Sequence, residues 1–191
     1  MKYLYGKDIK YKYDLIKPED FEKLQAFSCG NQKIDDFIHK NLIENGIVNT
    51  DDGLPFKIWN PTTNEIFAVV SLAASGIIFK VDNFTQVLPA IKIDILAVDV
   101  KYQKLHMDEE SEKSEIPDEH RYFSDAVMIQ VILHCRKIAE EMAMAKYIVL
   151  YADRKARRFY ERNLFSDFSK FMEKENNTEI NKNVPMYMPL E

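Results

Sequence analysis

Residues 148–165, Ile-Val-Leu-Tyr-Ala-Asp-Arg-Lys-Ala-Arg-Arg-Phe-Tyr-Glu-Arg-Asn-Leu-Phe, constrain the fold of this chain more than any other stretch. The β-branched and aromatic run from Tyr147 to Tyr151 reads as a strand. Asp153 suits a turn, and Ala156, Phe159 and Tyr160 then fall on a short helix before a strand restarts at Phe165. A strand, turn and helix in this order leave the Tyr160 hydroxyl near the end of a sheet, where it can reach a bound ligand. The plainer alternative is a core aromatic with a satisfied hydroxyl.

The rest of the chain alternates in the same way. Lys10 to Ile16 reads as a first strand, and Pro18-Glu19-Asp20 opens a helix. Asn31 caps a second helix running to about Asn45, with Ile34, Phe37, Ile38 and Leu42 at helical spacing. Phe56–Trp59 and Ile66–Leu72 read as strands around the turn at Asn60-Pro61-Thr62-Thr63-Asn64, and Ile77–Val81 prolongs the second or begins another. Pro89 to Val98 is a further strand, and Ser124 to about Met144 a long helix. Val184 to Leu190 closes the chain as an expected edge strand, because prolines fit edges better than centres. Strands alternating with helices give an α/β (α+β) class, and no repeat or linker divides residues 1–191.

A chain of 191 residues fits one domain with a real core. No apolar run has the length of a membrane helix, and the N-terminal residues lack a signal-peptide core. Cys29 and Cys135 lie far apart without metal-type spacing, so a reduced cytoplasmic protein is expected and no membrane association. The formal charge of −5 argues against nucleic acid as a partner. All of that charge comes from residues 108–121, where seven acids face only Lys113 and Arg121. This acidic segment is expected to be flexible, as an insertion over 104–121.

Four motifs in order carry a resemblance. They are Phe27-x-Cys29-Gly30-x4-Asp35-x-Phe37, the strand Phe67 to Leu72, Leu96-Ala97-Val98-Asp99-x-x-Tyr102-Gln103, and Ala156-x-x-Phe159-Tyr160-Glu161-x-x-Leu164-Phe165. The chain resembles the GNAT superfamily of N-acetyltransferases, and the first motif resembles the subgroup that includes acetyltransferase toxins. The resemblance implies a single domain with a central mixed, twisted sheet of about six to seven strands flanked by helices. Its strands near 91–99 and 147–151 would splay to receive acetyl-CoA. Leu164 stands where the family has glycine.

The resemblance also assigns roles. Tyr160 would protonate the leaving thiolate of coenzyme A, and Asp94 would deprotonate the amine, directly or through water, although a solvated or ion-paired Asp94 is the simpler reading. Leu96, Ala97 and Val98 would meet acetyl-pantetheine, and Gln103 would open the pyrophosphate loop. Asp153, Ala156 and Phe159 would complete the cofactor site. The family loop uses glycines that let backbone amides approach phosphate, but here His106 and Asp108 occupy the small-residue positions and no glycine follows Gly76. If 105–120 loops out, Tyr122, Phe123, Ser124 and Asp125 at the next helix start would form the anion site instead, with Arg121 or Lys104 adding charge.

His106 and His120 lie among carboxylates without fixed ligand spacing, so no metal is expected. Cys29 has no local base and reads as a turn residue, and Cys135 as packing. Arg154, Lys155, Arg157, Arg158 and Arg162 form a basic helix face, either solvated or facing a 3′-phosphate or the acidic segment. Three functions remain in play: an acetyl-CoA-dependent N-acetyltransferase acting on a small or peptidyl amine, a GNAT-like interaction module with weakened cofactor binding, and a toxin acetylating aminoacyl-tRNA. Exposed terminal strands are compatible with a homodimer.

Overall fold

The computed structural model describes residues 11–81, 84–116, 121–171 and 182–190. In chain order the elements are β1 (Lys12–Leu15), α1 (Phe21–Gln25), α2 (Gln32–Asp36), β2 (Ile43–Glu44), β3 (Ile47–Val48), β4 (Leu54–Trp59), β5 (Ile66–Val81) and β6 (Phe84–Val98). They continue with α3 (Val100–Gln103), α4 (Glu109–Lys113), α5 (Phe123–Ile138), β7 (Tyr147–Asp153), α6 (Arg157–Arg162), β8 (Ser166–Asp167) and β9 (Asn183–Pro189). Seven strands form one mixed sheet in the order β1-β4-β5-β6-β7-β9-β8, and β2 pairs with β3 apart from it. An α/β fold with six to seven sheet strands was the expectation, and seven are found. Among the described residues no helix is long and apolar enough to cross a membrane.

The chain divides into two compact units, Met1–Leu72 with Ile95–Met128, and Ala73–Asp94 with Ile129–Glu191. In the first unit, β1 pairs antiparallel with β4 from Lys12↔Trp59 to Leu15↔Phe56, and β4 pairs antiparallel with β5 from Leu54↔Leu72. Its core gathers Ile16, Leu24, Phe27, Ile38, Leu42, Ile43, Ile66, Val69 and Ala97. Leu24 of α1 and Ile38 and Leu42 of the helical segment after α2 contribute to that core. A T-shaped aromatic group adds to it, with Phe67 set against Tyr102 at 4.8 Å and against Phe123 at 5.1 Å.

Asn31 caps α2 as expected, its side chain accepting from the Lys33 amide. The helix does not reach Asn45. It closes on a wide turn over Phe37–Asn41, where the Leu42 amide donates to the Phe37 carbonyl at 2.9 Å. Asn45 and Gly46 then take φ of 52° and 76°, the two left-handed positions that a tight β2–β3 hairpin demands.

In the second unit, β6 and β7 run parallel from Ala90↔Tyr147 to Ile93↔Leu150. That ladder ends while β6 continues to Val98 and β7 to Asp153. Ile148, Val149 and Leu150 are all buried, as in a parallel strand covered on both faces. β7 pairs antiparallel with β9 along its whole length, from Tyr147↔Pro189 to Asp153↔Asn183. β9 is therefore not the edge strand that its prolines predicted, because β8 pairs with its far side at Tyr187 and Met186. The prolines are accommodated because the Pro185 carbonyl still accepts from the Phe168 amide and Pro189 ends the strand.

Candidate functional site

Tyr160 is positioned by its own backbone and two rings. Asp153 ends β7 and caps the following turn, accepting from the Lys155 amide at 2.8 Å. α6 carries Tyr160, whose carbonyl accepts from the Phe165 amide at 3.0 Å. Phe159 and Phe165 stand edge-on to the Tyr160 ring at 5.1 and 5.8 Å. Burial, then the nearby Asp153 charge, pushes the half-buried phenol up to about 12. It therefore carries its proton throughout the neutral range, the state a general acid needs.

The turn after Tyr160 enters the left-handed region without a glycine. Leu164 takes φ of 70°, a left-handed conformation costly for a side chain with a Cβ, and it is 79% exposed, so it repays little of that cost by packing. Asn163, buried beside it, donates to the Phe159 carbonyl at 2.8 Å. Leu164→Gly is expected to stabilise the fold by up to about 1 kcal/mol, read as a higher denaturant midpoint at unchanged slope.

Asp94, the proposed amine base, is exposed on β6 and ion-paired with Lys92. This pairing leaves the carboxylate engaged on its own strand. Lys92 also lies 6.0 Å from the Tyr151 ring centroid.

At the end of β6, Ala97 and Val98 are buried and Leu96 half-buried. Asp99, 3% exposed, caps α3 by accepting from the Lys101 amide at 2.9 Å. Gln103 does not present its side chain outward. Its amide nitrogen donates to the Cys29 carbonyl at 2.7 Å and to the Val98 carbonyl at 2.8 Å.

The loop beyond Gln103 leaves and returns through a closed neck. His106 bridges Tyr122, the Met107 amide donates to the Arg121 carbonyl at 2.9 Å, and the Phe123 amide to the Leu105 carbonyl at 2.8 Å. The described part of the excursion carries α4 and is stapled by the buried Ser111. That hydroxyl donates to the Arg121 carbonyl at 3.1 Å and accepts from the Arg121 amide at 2.6 Å. The same hydroxyl lies 3.3 Å from His106 Nδ1. Arg121 also pairs with Asp108 at 3.0 Å. His120 lies outside the described residues.

α5 begins at Phe123, so the expected late helix start is found. A helix start leaves four amides without intrahelical partners. Here the Tyr122 amide donates to the Asp125 carboxylate at 2.8 Å, the Phe123 amide to Leu105, and the Asp125 amide to the Tyr122 carbonyl at 2.9 Å. Among the described residues, Ser124 holds the one first-turn amide that meets no partner. Its hydroxyl donates to the Gln103 carbonyl at 3.4 Å.

The other singled-out residues resolve locally. Cys135 is fully buried and its thiol is pushed up to about 12 by burial. Burial also pushes the Cys29 thiol up to about 11, which suits a turn residue and not a nucleophile. Arg157 pairs with Glu161 at 2.7 Å and Asp167 at 3.4 Å, while Arg154 donates to the Lys182 carbonyl at 3.3 Å. Sequence reasoning missed Asp35 as an anchor. It accepts from Ser28 Oγ at 2.8 Å and from the Cys29 and Gly30 amides at 2.7 and 3.2 Å.

No family model matches the chain, and no curated protein matches it. Solved structures do. A bacterial toxin is similar at TM-score 0.65 and 17% identity, covering 95% of this chain and 91% of its own. The AtaT toxin, as a tyrosine-to-phenylalanine mutant bound to the C-terminus of the antitoxin AtaR and acetyl-CoA, is similar at TM-score 0.62 and 13% identity, covering 94% and 93%. AtaT complexed with acetyl-methionyl-tRNAfMet gives 0.60 and 13%, covering 94% and 95%. At such identities the likeness concerns the backbone, and it extends over nearly the whole of each chain. The chain has the fold of these toxin structures.

Proposed function

We propose that this chain is an acetyl-CoA-dependent N-acetyltransferase of the toxin type, acting on the amine of an aminoacyl-tRNA. The observation that carries the reading is a protonated, half-buried tyrosine fixed on α6, in a fold whose solved members include toxins bound to acetyl-CoA. The acceptor is proposed from AtaT complexed with acetyl-methionyl-tRNAfMet. The acidic excursion disfavours contact with RNA on its own surface, so RNA would have to meet another one, such as the exposed basic residues of 154–162.

Acetyl-CoA supplies a thioester whose sulfur leaves as a thiolate. The neutral amine attacks the carbonyl carbon, forming C–N as C–S breaks, and the Tyr160 hydroxyl gives its proton to the sulfur. Tyr160 regains a proton as the new ammonium centre loses one to solvent. Backbone groups of Leu96–Val98 would align the pantetheine arm, and the Ser124 amide would meet a phosphate. Asp153, Ala156 and Phe159 would act by placing Tyr160.

A second reading is favoured by one observation. Three of the four donors at the start of α5 are already used, and each charged hydrogen bond forgone is worth about 1.5–3 kcal/mol. A GNAT-like module with weak cofactor binding, serving as an interaction partner, fits that arithmetic. Titration with acetyl-CoA separates the two. The enzyme reading expects measurable heat and a melting temperature that rises with ligand concentration. No heat and no rise at millimolar acetyl-CoA would leave the module. Mass spectrometry of charged tRNA after incubation then tests the acceptor, with an added acetyl group as the expected product.

A further inference from the structure

We propose that Gln103 is a positioning residue, a clasp that fastens the 27–30 turn to the end of β6, and not a cofactor ligand. The inference rests on the reading of Leu96–Val98 as the strand that aligns the thioester. Both N–H groups of one carboxamide are spent, on the Cys29 carbonyl at 2.7 Å and on the Val98 carbonyl at 2.8 Å. One backbone bond crosses the same seam, and a second ties the residue after β6 to β5. Val100 donates to the Ser28 carbonyl at 2.9 Å, and Asp99 donates to the Phe67 carbonyl at 2.9 Å. The Asp99 carboxylate receives the Ser28 amide at 3.4 Å.

From its other side the turn is gripped by Asp35, which collects Ser28 Oγ and the Cys29 and Gly30 amides. His39 Nε2 sits 2.7 Å from the Phe27 carbonyl. Gly30, at φ of 77°, lies so close that a Cβ there would meet Val100 Cγ1 at 3.2 Å. The turn is thus pressed onto the first residue of α3. Gln103 is the side chain that joins it to β6 directly, and its own carbonyl is held by Ser124 Oγ.

The consequence for chemistry is orientation. A carbonyl at Val98 that accepts from Gln103 fixes the peptide plane between Val98 and Asp99. The groups of Leu96–Val98 that would face an acyl chain then point one way before anything binds. Preorganisation of this kind acts on turnover more than on affinity, and small misplacements cost large factors.

Two variants test the clasp. Gln103→Leu removes both donors without adding charge. Gln103→Glu keeps the shape, but an ionised carboxylate sets oxygen against two carbonyls, and only its protonated form can donate. Its folded-state pKa is therefore raised, so the stability it contributes is present at low pH and lost as pH rises through that value. The melting temperature of Gln103→Glu relative to the parent is expected to recover as pH falls towards about 5, whereas the deficit of Gln103→Leu stays flat. Amide hydrogen exchange at Cys29 and Gly30 should quicken in both variants at neutral pH. In turnover, kcat should fall by about tenfold or more while the Kd for coenzyme A stays within about threefold.

A raised Kd with unchanged kcat in Gln103→Leu would make Gln103 a ligand and overturn the proposal. So would a Gln103→Glu deficit that ignores pH. If the parent shows no acetyl transfer at all, the function proposed above fails, yet the melting and exchange measurements still decide whether the clasp exists.

Discussion

Replacing Tyr160 by phenylalanine is expected to lower kcat for acetyl transfer by about 100-fold or more, with the melting temperature within roughly 2 °C of the parent's. The change removes one oxygen from a ring that keeps its edge contacts with Phe159 and Phe165, so the fold has little reason to respond. The backbone bond from Phe165 to Tyr160 survives as well. What goes is the proton donor. With its pKa at about 12, Tyr160 would work as the proposed acid in its protonated form, so that contribution would be present below this value and lost only as pH rises through it. The rate should climb with deprotonation of the acceptor amine between about pH 7 and 10, with no falling limb owed to Tyr160. Asp94→Asn is the contrast. An exposed carboxylate paired with Lys92 has little to give, and its loss is expected to change kcat by less than about threefold. Steady-state kinetics of the two variants side by side decide the point. A Tyr160→Phe protein that turns over like its parent would take the hydroxyl out of the chemistry.

The strand, turn and helix around Asp153 and Tyr160 were legible because every signal in them is local. The apolar run, the capping acid and the helical spacing of Ala156, Phe159 and Tyr160 all act within a few residues. The late start of α5 was legible for the same reason. Other features were hidden by sequence distance. Nothing near Val184 announces that β8, two residues long, will pair with β9 and remove its edge. The Asn45-Gly46 pair does announce a hairpin, but the helical spacing of the residues before it concealed a turn that the chain in fact takes. Gln103 reads as the head of a phosphate loop, because a motif records a position and not a rotamer. Its partners, Cys29 and Val98, lie 74 and 5 residues away. The acidic excursion was visible as charge, whereas its staple, Ser111, is a small residue that composition cannot distinguish from a solvated one.

Lys57 shows the same blindness with the largest energetic consequence. In Leu-Pro-Phe-Lys-Ile-Trp it reads as the solvent-facing residue of a strand, yet it is 7% exposed and its partner Asp20 is fully buried. Lys57 Nζ lies 2.5 Å from Asp20 Oδ1, and Asp20 Oδ2 accepts from the Lys17 amide at 3.0 Å. Lys23 approaches the same carboxylate at 3.7 Å, and the Lys57 ammonium sits 5.0 Å from the Trp59 ring centroid. The pair thus ties the chain before α1 to the middle of β4, and Asp20 is the carboxylate that lets the Lys57 ammonium be buried. Removing one partner, as in Asp20→Asn or Lys57→Met, is expected to cost about 3–5 kcal/mol, because it strands a charge away from water. For a chain of this size that is a fall of roughly 10 °C in melting temperature. Replacing both at once, as Asp20→Leu with Lys57→Met, should recover most of the loss, since two apolar groups of similar volume need no mutual attraction to be buried. A double variant as unstable as the singles would mean that Asp20 acts chiefly through the Lys17 amide. Singles that cost less than about 1 kcal/mol would mean that water reaches the pair and that it behaves as a surface contact.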